Sequence, residues 1–222
     1  MQGHCNRSSR AQRNRKASLE IQLKTRSALL LSTVLSAVLS AVLAASGVAA
    51  APAQYIIDPM HTFPSFEGDH LGGVSVWRGK LTRSSGKVML DRVAGTGSVD
   101  VVIDADSIDF GLSEMNTHAV SAEFLDTAKF PKITYKGNLE AFVDGKPTRL
   151  AGELTLHGVT HPVTLQILSF KCMPHPMSKR ELCGADALGT FKRDDFGLSV
   201  GKDWGFSMDV TLRVQVEANI AP

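Results

Sequence analysis

Near the end of the chain Val210, Leu212, Val214, Val216, Ala218 and Ile220 alternate with Thr211, Arg213, Gln215, Glu217 and Asn219. A period of two over this length predicts a β-strand with one buried face. The same alternation recurs at Val99, Val101 and Ile103, at Ile133, Tyr135, Gly137 and Leu139, at Leu150, Gly152, Leu154 and Leu156, and at Val163, Leu165 and Ile167. Asp144-Gly145-Lys146-Pro147 and His157-Gly158 separate these runs as hairpin connections. Only Leu112–Phe130 lacks alternation, and it reads as short helical turns with Ser113 as an N-cap. About eight one-sided strands predict a single all-β domain, an antiparallel sandwich or closed barrel.

Two glycines bear on that choice. Gly79 lies between Trp77 and Leu81 on one strand face, and Gly152 lies between Leu150 and Leu154. Glycine inside a strand marks a tight bend or the close approach of something else. Either the glycines serve a coiled barrel wall, or they keep a lumen open. An eight-stranded barrel is wide enough to hold one small ligand.

The N-terminal segment changes the picture of charge. Residues 1–51 carry seven basic groups and one acid, leaving 17 basic and 21 acidic residues in the body. A net charge of −4 there argues against nucleic acid as a partner, because phosphate binding needs a positive field. Arg26 ends the basic stretch, Ala28–Ala45 is uncharged, and Val48-Ala49-Ala50 offers a small-residue cleavage site. That layout is a secretory signal peptide over residues 1–50, with cleavage after Ala50 or after Ala53; an uncleaved anchor is the rival. The body, 51–222, is then exported, in a bacterium to the periplasm.

The body keeps two cysteines, Cys172 and Cys183. An even count in an oxidising compartment predicts a disulfide that staples the proline-bearing loop between them. A metal site using His175 is the weaker alternative, for want of ligands.

Ordered blocks across the body resemble the YceI-like polyisoprenoid-binding proteins of bacteria. They are Tyr55-Ile56-Ile57-Asp58 with His61-Thr62, His70-Leu71, Trp77-Arg78-Gly79, His118 to Asp126, Phe130-Pro131 to Tyr135, Gly152 to Val163, and Arg193-Asp194-Asp195-Phe196-Gly197-Leu198. The resemblance implies a single antiparallel eight-stranded lipocalin-like β-barrel, with short helical segments near 113–130. It implies an apolar interior for a long isoprenoid, export, and no established catalytic activity. Pro64 departs from the pattern by interrupting an early strand, and the Cys172–Cys183 insertion is not explained by the family fold.

Candidate ligand contacts are Phe66, Trp77, Gly79, Phe124, Phe130 and Tyr135 as wall, with His61, His70, Arg78 and His118 toward a polar end. Alternation sets Arg78 opposite Trp77, hence outside. Phe110 and Phe196 complete the set of large wall residues. His157 and His161 flank a turn and are expected to be exposed, without a role. Asp104, Asp106 and Asp109, and Asp194 with Asp195, offer carboxylates, but aspartates at strand ends ordinarily cap turns. No catalytic residue, metal or cofactor is expected beyond a bound isoprenoid lipid or quinone. Transient membrane contact and a homodimer are both compatible with the reading. The rivals are an enzyme acting on a similar lipid through His61 or His118, and an envelope stress or interaction module with a filled barrel.

Overall fold

The computed structural model describes residues 51–222; the signal-peptide expectation for 1–50 lies outside the described residues. Eleven strands form one antiparallel sheet that closes on itself. The first six are halves of three bent staves. β1 (Ala53–Ile57) and β2 (Phe63–His70) run in succession along the last strand, β11 (Asp209–Ile220). β3 (Ser75–Leu81) and β4 (Ser84–Asp91) pair with β2 and β1 in turn. β5 (Thr96–Asp104) pairs with β4, and the short β6 (Ile108–Asp109) with β3. β7 (Lys132–Glu140), β8 (Arg149–Leu156), β9 (Val159–Pro174) and β10 (Glu181–Lys192) then continue as single staves to β11. The result is an eight-stave, up-and-down barrel in which neighbouring staves follow one another in sequence, and the first stave closes the barrel against the last.

Bending three adjacent staves at one level interrupts the ladder, and hydroxyls supplement the backbone bonds there. Thr62 Oγ1 donates to the Glu217 carbonyl and accepts the Glu217 N–H, both at 3.2 Å. Thr82 Oγ1 donates to Ser107 O, Ser107 Oγ to Asp104 O, and Ser84 Oγ to Thr62 O. Thr62, Ser84 and Ser107 are all buried, where an unmet hydrogen bond would cost about 1–3 kcal/mol. Pro64 sits at this bend, opposite Val214 but beyond the last residue of β2 paired with β3, so its missing N–H breaks no ladder on that side.

The turns behave as their residues dictate. Asp144 and Gly145 both take positive φ, as do His157 and Gly158. That is the type I′ geometry whose twist matches a hairpin. The 110–131 connection holds one helix, α1 (Ser113–Val120), followed by turns. Ser113 is not its cap: Leu112 holds the N-cap position, and Ser113 Oγ bonds Glu114.

Cys172 and Cys183 are disulfide-bonded and directly opposed in the β9–β10 ladder. The strands run further than the prolines suggest, so the irregular loop shrinks to 175–180 and the bond ties the strand ends. Closing so short a segment contributes about 3 kcal/mol in the chain-entropy view. His175 accepts the backbone N–H groups of Met177 and Ser178 at 3.2 Å and belongs to that turn. Among the described residues no helix is long and apolar enough to cross a membrane.

Candidate ligand cavity

The barrel is hollow. A cavity of about 710 Å³ runs along its axis, walled by the inward residues of the staves. Toward the end where β1 begins and β11 ends, the wall is mainly aliphatic, with Leu90, Leu139, Leu150 and the Cys183 half of the disulfide beside the rings of Tyr55 and Phe170. Toward the end carrying α1 it becomes aromatic. On β2 the alternating Pro64, Phe66, Gly68 and His70 face the cavity. The His70 ring stacks on Trp77 with centroids 4.2 Å apart, and Phe206 meets its edge at 5.3 Å. Phe110 joins Phe66 at 5.4 Å and Trp77 at 6.4 Å, and α1 adds His118, edge-on to Phe124.

Charge is confined to this mouth. Asp69 accepts the N–H groups of Gly72, Gly73 and Ser207, which pins the β2–β3 tip to the 205–207 loop and holds its carboxyl below the usual range. Among the described residues, Arg193 is the one lysine or arginine in the cavity wall. Its guanidinium donates to the Leu198 and Val200 carbonyls at 2.7 Å, and burial lowers its pKa.

Of the residues singled out from sequence, Phe66, His70, Trp77, His118, Phe124 and Tyr135 line the cavity. The other four do not. His61 is exposed on the bend, held by Asp58 at 2.9 Å, and each raises the other's preference for its charged form. Arg78 points outward to Glu67, also at 2.9 Å, as the alternation requires. Phe130 packs instead on the β8–β9 turn, its ring 4.4 Å from His157 and filling the space over Gly158. Gly79 faces inward but is roofed: a Cβ there would fall 2.5 Å from the Phe66 ring.

The glycines therefore serve the wall rather than the lumen. Gly152 faces Gly137 across the β7–β8 ladder, and a Cβ on it would lie 2.7 Å from the Gly137 Cα and 2.8 Å from the Tyr135 ring. The space is taken by the Tyr135 ring, whose hydroxyl donates to Val163 O at 2.7 Å. Burial pushes that phenol up to about 12. Between its ordinary 10.0 and about 12 the folded chain keeps a proton that the unfolded chain releases. Stability is thus complete below the lower value and falls as pH rises through the window. Tyr135→Phe will cost about 1 kcal/mol at neutral pH through the lost hydrogen bond. It will also flatten the alkaline fall in denaturation midpoint; an unchanged alkaline slope would show that this phenol is not the group titrating.

His157 and His161 are half-buried rather than exposed. They bond the carbonyls of Phe196 and Asp195 and dock the 193–196 turn on the hairpin. Phe196 is sealed beneath them, away from the cavity. The carboxylates are engaged too: Asp104 by Lys132 and Arg83, Asp109 by Asn116 and the Gly111 N–H, Asp194 by Lys202. Each is held below the usual carboxylate range by those contacts. Sequence reasoning missed Arg193, Trp204 and Phe206 as wall residues; they come from a connection without alternation.

A closed up-and-down barrel with a largely apolar interior and its charged side chains at one mouth defines the class: a lipocalin-like barrel. Within that class the chain belongs to the YceI-like domain family, whose profile matches residues 55–218. It is 34% identical over 176 residues to Protein YceI of Escherichia coli, spanning 78% of this chain and 90% of that one. The fold is shared with Campylobacter jejuni YceI at a TM-score of 0.58 and 22% identity, over 67% of this chain and 88% of that one. It is shared also with a polyisoprenoid-binding domain from Saccharophagus degradans implicated in plant cell wall breakdown, at 0.52 and 18%, over 75% and 98%.

Proposed function

We propose that the protein is an exported carrier that sequesters an isoprenoid-type lipid, a polyprenyl chain or a quinone, in its barrel. The observation that carries this reading is the cavity of about 710 Å³, largely apolar along its length, with its charged side chains and histidines gathered at one mouth. The polyisoprenoid-binding neighbour supports the ligand class. The basic–apolar–small order of residues 1–50 and the disulfide support export through a cleaved signal to the periplasm. Binding rather than turnover is favoured because Asp104, Asp109 and Asp194 are spent on ion pairs and turns and His61 lies off the cavity wall, which leaves His118 as the one group of the enzyme reading that faces the lumen.

Each methylene removed from water contributes about 0.8 kcal/mol, so the chain alone suffices for affinity. Binding of a series of short polyprenols presented in water without detergent will tighten at least tenfold per added isoprene unit until the cavity is full, and the released lipid will be unchanged. Affinity independent of chain length would refute a chain-binding lumen; a chemically altered product would establish the enzyme.

A further inference from the structure

Apolar residues ring the cavity mouth at places where local rules disfavour them. Leu71, at the β2–β3 tip, takes φ +53° and is 47% exposed. A bulky aliphatic in the left-handed region is strained, and glycine, asparagine or aspartate is the ordinary occupant. Leu112 holds the N-cap position of α1, makes no side-chain cap bond and is 51% exposed, where serine, threonine, aspartate or asparagine would add a hydrogen bond. Val74 beside Leu71 is 74% exposed, and Trp204 73%. Local rules broken together at one place, without a packing return, point to function.

These positions form one surface. The tip is pinned to the 205–207 loop through Asp69 and Ser207, and a Cβ on Gly72 would meet the Gly205 carbonyl. Leu112 follows Phe110, whose ring meets Trp77. Trp77, Val200 and Trp204 are exposed and also line the cavity, so the outer apolar surface continues into the lumen. The opposite end exposes Val93, Val143 and Met177, but none of them lines the cavity. Both tryptophans of the chain stand at the mouth. Indoles favour the membrane–water interface, where an apolar ring and a polar N–H are both accommodated. Lys202 is paired with Asp194 and Arg78 with Glu67, so the rim does not depend on anionic partners.

We propose that this mouth is a membrane-docking face, seating Leu71, Val74, Leu112, Val200 and Trp204 in the outer part of a lipid monolayer so that the lumen opens onto the bilayer. The proposal deepens the carrier reading and rests on it for the identity of the occupant, since a lumen filled by lipid chains is loaded where such chains reside. The charge pattern adds that phosphatidylcholine suffices and that salt has little effect.

The test uses phosphatidylcholine vesicles, some with brominated acyl chains, and the variant Leu71→Asp/Val74→Asp/Leu112→Asp. None of these three residues lines the cavity, and aspartate suits both the left-handed position and the helix cap. The purified wild type will sediment with vesicles and its tryptophan emission will be quenched by bromine. The triple variant will bind vesicles at least tenfold more weakly, with an unchanged or raised thermal midpoint and undiminished capture of polyprenol from detergent. Val74→Asp alone, at an open position, will weaken vesicle binding several-fold and guards against a folding artefact. Equal sedimentation of wild type and variants, or wild type that ignores vesicles, would overturn the proposal. So would a wild-type dimer that the triple variant dissolves, because the face would then join two copies. Vesicle binding without capture of polyprenol from detergent would sustain docking and remove the carrier reading; capture without vesicle binding would remove docking alone.

Discussion

Ala187→Phe will fold normally and lose its lipid. Ala187 faces the cavity from β10, 8% exposed, on a run where the next residues of the same parity are the small Ala185 and Gly189. Ala187 lines the cavity, so a phenyl group directed along the lumen takes cavity volume, and the thermal midpoint should move little. The ring takes the space that the chain of a ligand would occupy, and polyprenol capture should fall at least tenfold. In a barrel filled by its own side chains the same substitution would overpack the core and cost about 1–3 kcal/mol. Thermal unfolding and detergent-phase capture, measured on one preparation, separate the two cases. A folded variant with wild-type affinity would place the binding site elsewhere.

Gly152→Val will be among the most destabilising single changes in the wall, by about 3 kcal/mol or more. The residue opposite is Gly137, and an added Cβ would meet backbone atoms of Lys136 and Gly137 before any movable side chain. Relief requires that β7 and β8 separate or that Tyr135 give up its place and its hydrogen bond to Val163. Gly79→Leu differs, because its first contact is the Phe66 ring, which can swing toward the lumen. Its stability cost should be smaller and its effect on capture larger. Gly68→Ala is the control: nothing lies within 4 Å of its Cβ position, and stability should hold or rise slightly. Urea denaturation of the three variants gives the order directly. A mild Gly152→Val would mean that the two strands are not in close contact at this pair.

Period-two alternation made most of the barrel legible. Val99 to Ile103, Ile133 to Leu139, Leu150 to Leu156 and Val210 to Ala218 put into the wall the face that alternation assigns. The same parity set Trp77 inside and Arg78 outside. Alternation is silent where a stave bends, and it could not show that Ala53 to His70 forms one broken strand sustained by buried hydroxyls. It could not distinguish a glycine beneath open space from a glycine beneath an aromatic ring, because Phe66 over Gly79 is a contact between strands. The aromatic mouth was half visible. Phe66 and Trp77 lie on strands, whereas Arg193, Trp204 and Phe206 arrive through a connection whose path depends on Asp69 bonding Ser207, 138 residues away in sequence. His61 and Phe130 stood in blocks shared with the family, yet the structure gives them to the bend and to the β8–β9 turn.

The carrier account is tested most directly by native mass spectrometry of protein purified gently from a periplasmic extract. It predicts a mature chain beginning near Ala51 or Gln54, oxidised at Cys172 and Cys183, with a non-covalent adduct whose mass is that of an isoprenoid lipid. The adduct should be missing from Ala187→Phe prepared in the same way. Wild-type protein that is empty as isolated, and remains empty after incubation with excess polyprenol or quinone, would contradict it.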